Sequence, residues 1–133
     1  MTKSTMIVRD LVDIPNETER VNASMKMLVD KRNAQNLRVG YMWWKRGSKG
    51  NLHYHDVEEL QLILYGNGRL TDCEGKRHPL RAGTMFHCPP GESGAHQIEN
   101  TSQFPLCLLF IYPRQTFLSI SLKPDKTSNR KPL

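Results

Sequence analysis

The sequence predicts an all-β chain folded as a single sandwich or barrel. Three observations lead there. Short segments rich in apolar, aromatic and β-branched residues recur along the chain. Glycine- and proline-bearing turn signals separate them every eight to twelve residues. No stretch carries long helical periodicity. The double-sheet jelly roll is one such architecture and suits a chain of 133 residues.

The elements follow in order. Residues 1–36 are mixed and predict N-terminal strands and connections that pack on the barrel or on a partner subunit. Within them, Ile7–Leu11 predicts a short strand and Asp13–Glu17 a turn. Ser24–Val29 predicts an edge strand with Met25, Met27 and Val29 on one side. Residues 37–122 form the barrel. Leu37–Lys45 stops at Arg46-Gly47, Asn51–His55 is short, and Glu59–Tyr65 ends at Gly66-Asn67-Gly68. Arg69–Cys73, Lys76–Leu80 and Thr84–Cys88 are closed by Glu74-Gly75, Ala82-Gly83 and Pro89-Pro90-Gly91. His96–Asn100 follows, then the continuous apolar run Leu106–Tyr112. Phe117–Leu122 alternates, with Phe117, Ser119 and Ser121 opposite Leu118, Ile120 and Leu122. Residues 123–133 read as a polar, basic tail, disordered or laid over a partner.

Composition sets the function classes. Hydrophobic residues make up 38% and charged residues 24%, and no apolar run reaches ~18 residues, so no membrane span is expected. The first ten residues meet a charge pair before a signal-type apolar stretch can form, which points to the cytoplasm. Cys73, Cys88 and Cys107 are odd in number and widely spaced, which argues against a disulfide framework and against a cysteine zinc site. The formal charge of +6 is uneven: the tail holds Lys123, Lys126, Arg130 and Lys131 against Asp125, and Lys45, Arg46 and Lys49 form a second group. With no basic helix and no stacking pattern, nucleic acid is not an expected partner, whereas an anionic small molecule is a reasonable one.

The chemistry gathers around His53-Tyr54-His55. Residues two apart on a strand project from one face, so both imidazoles aim at one spot if that face is the interior. Glu59 enters from the start of the next strand after a three-residue connection, and His96 heads a later one. Three imidazoles and a carboxylate suit Fe²⁺, Mn²⁺, Co²⁺, Ni²⁺, Cu²⁺ or Zn²⁺ better than Ca²⁺ or Mg²⁺.

The surrounding spacing resembles the cupin superfamily. Gly47-x5-His53-x-His55-x3-Glu59-x6-Gly66 matches the first cupin signature at every interval, and Gly83-x5-Pro89-x-Gly91-x4-His96-x3-Asn100 resembles the second. The loop from Gly91 to His96 holds four residues where the family more often has two, and Thr84 stands where cupins often carry aspartate. The resemblance covers residues 37–113. It implies a double-stranded β-helix, the cupin jelly-roll barrel, in one domain. It assigns His53, His55, Glu59 and His96 as ligands of one divalent transition metal, with Fe²⁺, Mn²⁺, Ni²⁺ and Zn²⁺ as the candidates. It also implies a homodimer and a metal-dependent enzyme acting on a small-molecule substrate. The expected chemistry is that of a non-haem iron dioxygenase, an oxidoreductase of catechol-like or diketone substrates. The alternatives are a non-oxidative cyclase, isomerase or lyase, or a non-catalytic binding or sensing module.

Other residues carry paired readings. Gln61 shares a strand face with Glu59 and is either hydrogen-bonded to a neighbouring side chain or a substrate contact. Glu58 is a rival carboxylate that the spacing disfavours. Cys88 is a packed core residue or a thiol near the metal. Either Tyr41 and Trp43, or Met42 and Trp44, line the cavity or core. Tyr54 points away from the metal, and Asn100 closes a turn by bonding the backbone.

Overall fold

The computed structural model describes residues 6–19 and 22–122; the basic tail lies outside them. Eleven strands follow in order: β1 (Thr18–Glu19), β2 (Ala23–Val29), β3 (Arg38–Trp44), β4 (His53–His55), β5 (Glu59–Tyr65), β6 (Asn67–Thr71), β7 (Arg77–Arg81), β8 (Met85–Cys88), β9 (Gln97–Asn100), β10 (Leu106–Tyr112) and β11 (Ser119–Ser121). They form a six-stranded sheet in the order β1-β2-β3-β10-β5-β8, a three-stranded sheet β7-β6-β9 and a two-stranded ribbon β11-β4. The strand pairs are antiparallel. The expected all-β jelly roll is what the chain adopts.

The core lies between the two larger sheets. Ile63, Leu106 and Leu108 from one side meet Leu70, Leu80 and Ile98 from the other, all at most 7% exposed. Along β10 the inward positions Leu106, Leu108, Phe110 and Tyr112 are buried, and the alternate Cys107, Leu109 and Ile111 reach the outer face. The apolar run therefore serves both faces of the sheet.

Two glycines are required by geometry. Gly66 carries the chain from the six-stranded sheet into the three-stranded one at φ +94°, and a Cβ there would stand 2.4 Å from the Pro105 carbonyl oxygen. Gly40 pairs with Phe110 across β3 and β10, and a Cβ on it would lie 2.0 Å from the phenyl ring. The bare backbone at position 40 is what lets Phe110 lie flat against the inner wall.

The N-terminal segment differs from expectation in two ways. Residues 7–10 form no strand and lead, through an extended Asp10, into a 3-10 turn at Leu11–Asp13. β2 is not the outermost strand, because β1 pairs with it through Thr18–Met25 and Glu19–Ser24. Neither feature has a local sequence cause: both depend on which strand edge is left free elsewhere in the sheet.

Candidate metal centre

His53 and His55 project from β4 towards the barrel interior. The strand is held on one side by β11, with Ser119 opposite His55 and Ser121 opposite His53. On the other side His96 locks on by a reciprocal backbone pair: His53 N donates to the His96 carbonyl at 3.1 Å, and His96 N donates to the His53 carbonyl at 2.9 Å. The four-residue loop, two longer than the usual one, does not move His96 out of reach; its residues stay close to the strand. They wind into a 3-10 turn at Glu92–Gly94, anchored where Gly91 N donates to the His55 carbonyl at 2.8 Å. Glu59 opens β5 opposite Cys88 of β8.

One ligand atom from each of His53, His55 and His96 lies within 4.8 Å of the others. Glu59 Oε1 is 3.3 Å from His96 Nε2 and 3.6 Å from His55 Nε2. The site is deep: His96 is 1% exposed, Glu59 2% and His55 7%. Backbone carbonyls set two of the rings. His53 Nδ1 donates to Asn51 O and His96 Nδ1 to Gly94 O, each at 2.9 Å. That choice of tautomer leaves each Nε2 as a lone pair. Gln61 Nε2 donates to Glu59 Oε2 at 3.0 Å, which leaves Oε1 free to point at the rings. His96 Nε2 and Glu59 Oε1 are buried without a hydrogen-bond partner among the described residues.

Two facing lone pairs in a dry site repel unless a cation sits between them. The donor set therefore fits a divalent transition metal, and the protein's electrostatics report the same demand. Burial works against a charged His96, but the Cys88 thiol and the Glu59 carboxylate outweigh it and push the ring up to about 10. Glu59 is held below the usual carboxylate range: burial opposes this, and His96 beside it prevails. His53 and His55 are pushed down, chiefly by burial, with the neighbouring rings adding to it. Neutral His53 and His55 and an ionised Glu59 are the protonation states that metal ligation needs, whereas His96 must give up its proton to join them.

The cupin domain family matches residues 40–112, more than half of the chain. The chain belongs to the cupin family. Among solved structures, this cupin is similar to a sugar phosphate isomerase of the cupin superfamily from Silicibacter pomeroyi, at 24% identity with TM-score 0.76, covering 87% of this chain and 82% of that one. It is similar also to a polyketide cyclase from Streptomyces resistomycificus, at 18% identity with TM-score 0.77, covering 91% and 89%. At these identities the likeness is one of fold. Auxin-binding protein 1 of Arabidopsis thaliana is 29% identical over 119 residues. That match takes in 81% of this cupin but spans only 59% of the relative.

His53, His55 and Glu59 open onto a cavity of about 590 Å³, with His96 packed behind them. Met42 and Trp44 line it, whereas Tyr41 and Trp43 stack on each other 5.8 Å apart on the opposite face of β3. Along β11 the alternation resolves with Phe117, Ser119 and Ser121 towards the cavity, while Leu118 and Ile120 are exposed at 62% and 37%. Gln61 lines the cavity as well as bonding Glu59, so both of its readings have a structural basis. Cys88 is buried in the core and its Sγ lies 3.3 Å from His96 Nδ1, behind the ring and away from the lone pair. Glu58 is outside, paired with His87 at 2.7 Å. Asn100 Nδ2 donates to the carbonyls of Trp44, Lys45 and Phe104, and its Oδ1 accepts from Ser102 N. It closes the turn as expected.

Two cavity residues were not among the sequence candidates. Tyr112 brings its hydroxyl to 3.2 Å from His55 Nε2, and burial first, then Glu59, raises its pKa above the usual phenol range. Its signal was present, since it ends the inward-facing half of β10 with a polar tip. Arg38 is the register partner of Tyr112 on β3 and faces the same cavity. Nothing local marks it, because its position depends on a pairing 74 residues away along the chain, the difference between 112 and 38.

Proposed function

We propose that this cupin is a metal-dependent enzyme of a small, oxygen-rich molecule, with His53, His55, Glu59 and His96 holding one divalent transition metal. The observation that supports this most directly is the convergence of three imidazoles and one carboxylate, with His53, His96 and Glu59 each oriented by a hydrogen bond of its own. When bound, such an ion supplies Lewis acidity and, as Fe²⁺, positions at which O₂ and substrate can meet. The chain's own residues do the rest. Gln61 fixes the Glu59 carboxylate. Met42, Phe110 and Phe117 exclude water from the cavity walls. Tyr112 keeps its proton at the hydroxyl beside the cluster and can donate a hydrogen bond to a substrate oxygen.

Dioxygenase chemistry on a catechol-like or diketone substrate is the first reaction type. A non-oxidative rearrangement is the second, favoured by the proton-bearing Tyr112 hydroxyl and by likeness to an isomerase and a cyclase. A binding role without turnover is a third, in keeping with a relative named as an auxin-binding protein. Metal analysis of anaerobically purified protein, with His53→Ala as control, tests the centre. About one equivalent of metal in the parent and loss in the variant is the expected result; full retention in the variant removes the assignment. Oxygen uptake by the Fe²⁺-loaded protein against catechols and diketones then separates the reaction types, since a rearrangement proceeds without oxygen.

The exposed Leu118 and Ile120 beside Tyr54, and the outward Leu109 and Ile111, support a homodimer as the working assembly. Among the described residues no helix is long and apolar enough to cross a membrane. A cytoplasmic setting without nucleic-acid or membrane partners is proposed on composition.

A further inference from the structure

We infer that Arg38 is the anchor for an anionic group on the ligand, and that the cavity therefore selects a small carboxylate. This deepens the reading of the cavity as the ligand site and rests on it. The guanidinium lines the cavity with its CZ atom 5.9 Å from the centroid of the Phe117 ring. Its Nε is buried with no hydrogen-bond partner, and the hydrogen bond recorded for it is a long one of 3.5 Å from Nη1 to the Gln115 carbonyl. Arginine has five donors in a planar fork suited to a carboxylate.

No carboxylate among the described residues pairs with it: the ion pairs there do not include Arg38. Asp30, whose field it feels, is already engaged by Arg32 through Nε and Nη2, at 3.0 and 2.7 Å. The other cavity cation, Lys49, feels Glu99, which Arg69 also holds at 2.6 Å. Glu59 is the single acidic residue among the described cavity lining, and it faces the imidazoles. Once a dication occupies the cluster, the cavity is strongly positive, and Arg38 is the cavity cation with a buried donor that has no partner among the described residues.

The position also sets a length. The Phe117 ring touches both ends of the site, its centroid 5.9 Å from the guanidinium carbon and 5.2 Å from the His55 imidazole. A ligand that meets both Arg38 and the metal-facing edge of the rings must span that phenyl group. A two-carbon acid is too short, and an aryl or similar spacer between its anionic and oxygen-donor ends fits.

The test is calorimetric titration of the Zn²⁺-loaded protein with 3-(4-hydroxyphenyl)propionate and with its neutral amide, 3-(4-hydroxyphenyl)propanamide. The parent is expected to prefer the carboxylate by about tenfold or more, as charge-assisted bidentate bonding implies. Arg38→Met should bind the two equally with the amide affinity unchanged, Arg38→Lys should keep part of the preference, and Lys49→Met should keep it all. A preference that survives in Arg38→Met, or no preference in the parent, overturns the inference, as does failure of the parent to bind the carboxylate at millimolar concentration. Catechol turnover without carboxylate preference sinks this inference and leaves the enzyme reading standing. Carboxylate preference through Arg38 without turnover on any metal does the reverse.

Discussion

His96 Nε2 and Glu59 Oε1 lie 3.3 Å apart at the closed end of the cavity, and both are lone pairs when the Gly94 carbonyl holds the opposite ring proton. A proton or a dication must reconcile them, so metal binding and protonation of His96 compete. Metal affinity is expected to rise with pH across the range in which His96 would otherwise be charged, a range whose upper end is about 10. The sign for the metal-free protein follows from the raised pKa. The proton on His96 stabilises the fold fully below the ordinary histidine value, and that contribution is lost as pH climbs through about 10. Competition titrations with a chromogenic chelator at several pH values measure the first effect; flat affinity would contradict it.

Bound metal should stabilise the fold by mass action, by about 2.7 kcal/mol at a hundredfold excess over Kd. Thermal melts with and without a chelator should therefore differ by several degrees in the parent. Glu59→Gln, which keeps the shape but loses the charge, should show little difference between the two melts.

Gln61→Leu removes the donor that holds Glu59 Oε2. Loss of a ligand's orienting partner costs about 10–100-fold in metal affinity. Cys88→Ala should change affinity far less, because the Gly94 carbonyl still sets the His96 tautomer. Equal losses in the two variants would show that the thiol is a ligand in its own right.

Gly40→Ala places a methyl group 2.0 Å from the Phe110 ring, which must swing into the cavity. Overpacking of this kind costs about 1–3 kcal/mol. The expected signature is a lower urea midpoint together with weaker ligand binding. An unchanged midpoint would mean that the wall is soft.

Asp30 closes the connection between β2 and β3. Its carboxylate accepts from Arg32 N, Nε and Nη2, and its backbone N–H donates to Asn33 Oδ1. The Arg32 hydrogen bonds hold its pKa below the usual value against the opposing effect of burial. The stability it contributes is complete above the unfolded carboxylate value of about 3.8 and is lost as pH falls through the lower folded value. Asp30→Asn should lower stability at neutral pH and reduce the acid sensitivity of the urea midpoint, and an unaltered acid profile would remove Asp30 as its source.

The strands from residue 23 onward, the turn glycines and the gathering of His53, His55, Glu59 and His96 were legible in the sequence, because each depends on local rules. Alternation puts His53 and His55 on one face, backbone sterics demand glycine at position 66, and a buried carboxylate needs neighbours such as histidine. What only the tertiary structure decided were facts of pairing. Tyr112 and Arg38 share a cavity because β10 lies beside β3 in one register, and the serines of β11 face inward because β4 offers it that edge. Period-two alternation says which residues share a face but not which face is inside. Sheet register, set by contacts tens of residues apart in sequence, supplies that choice.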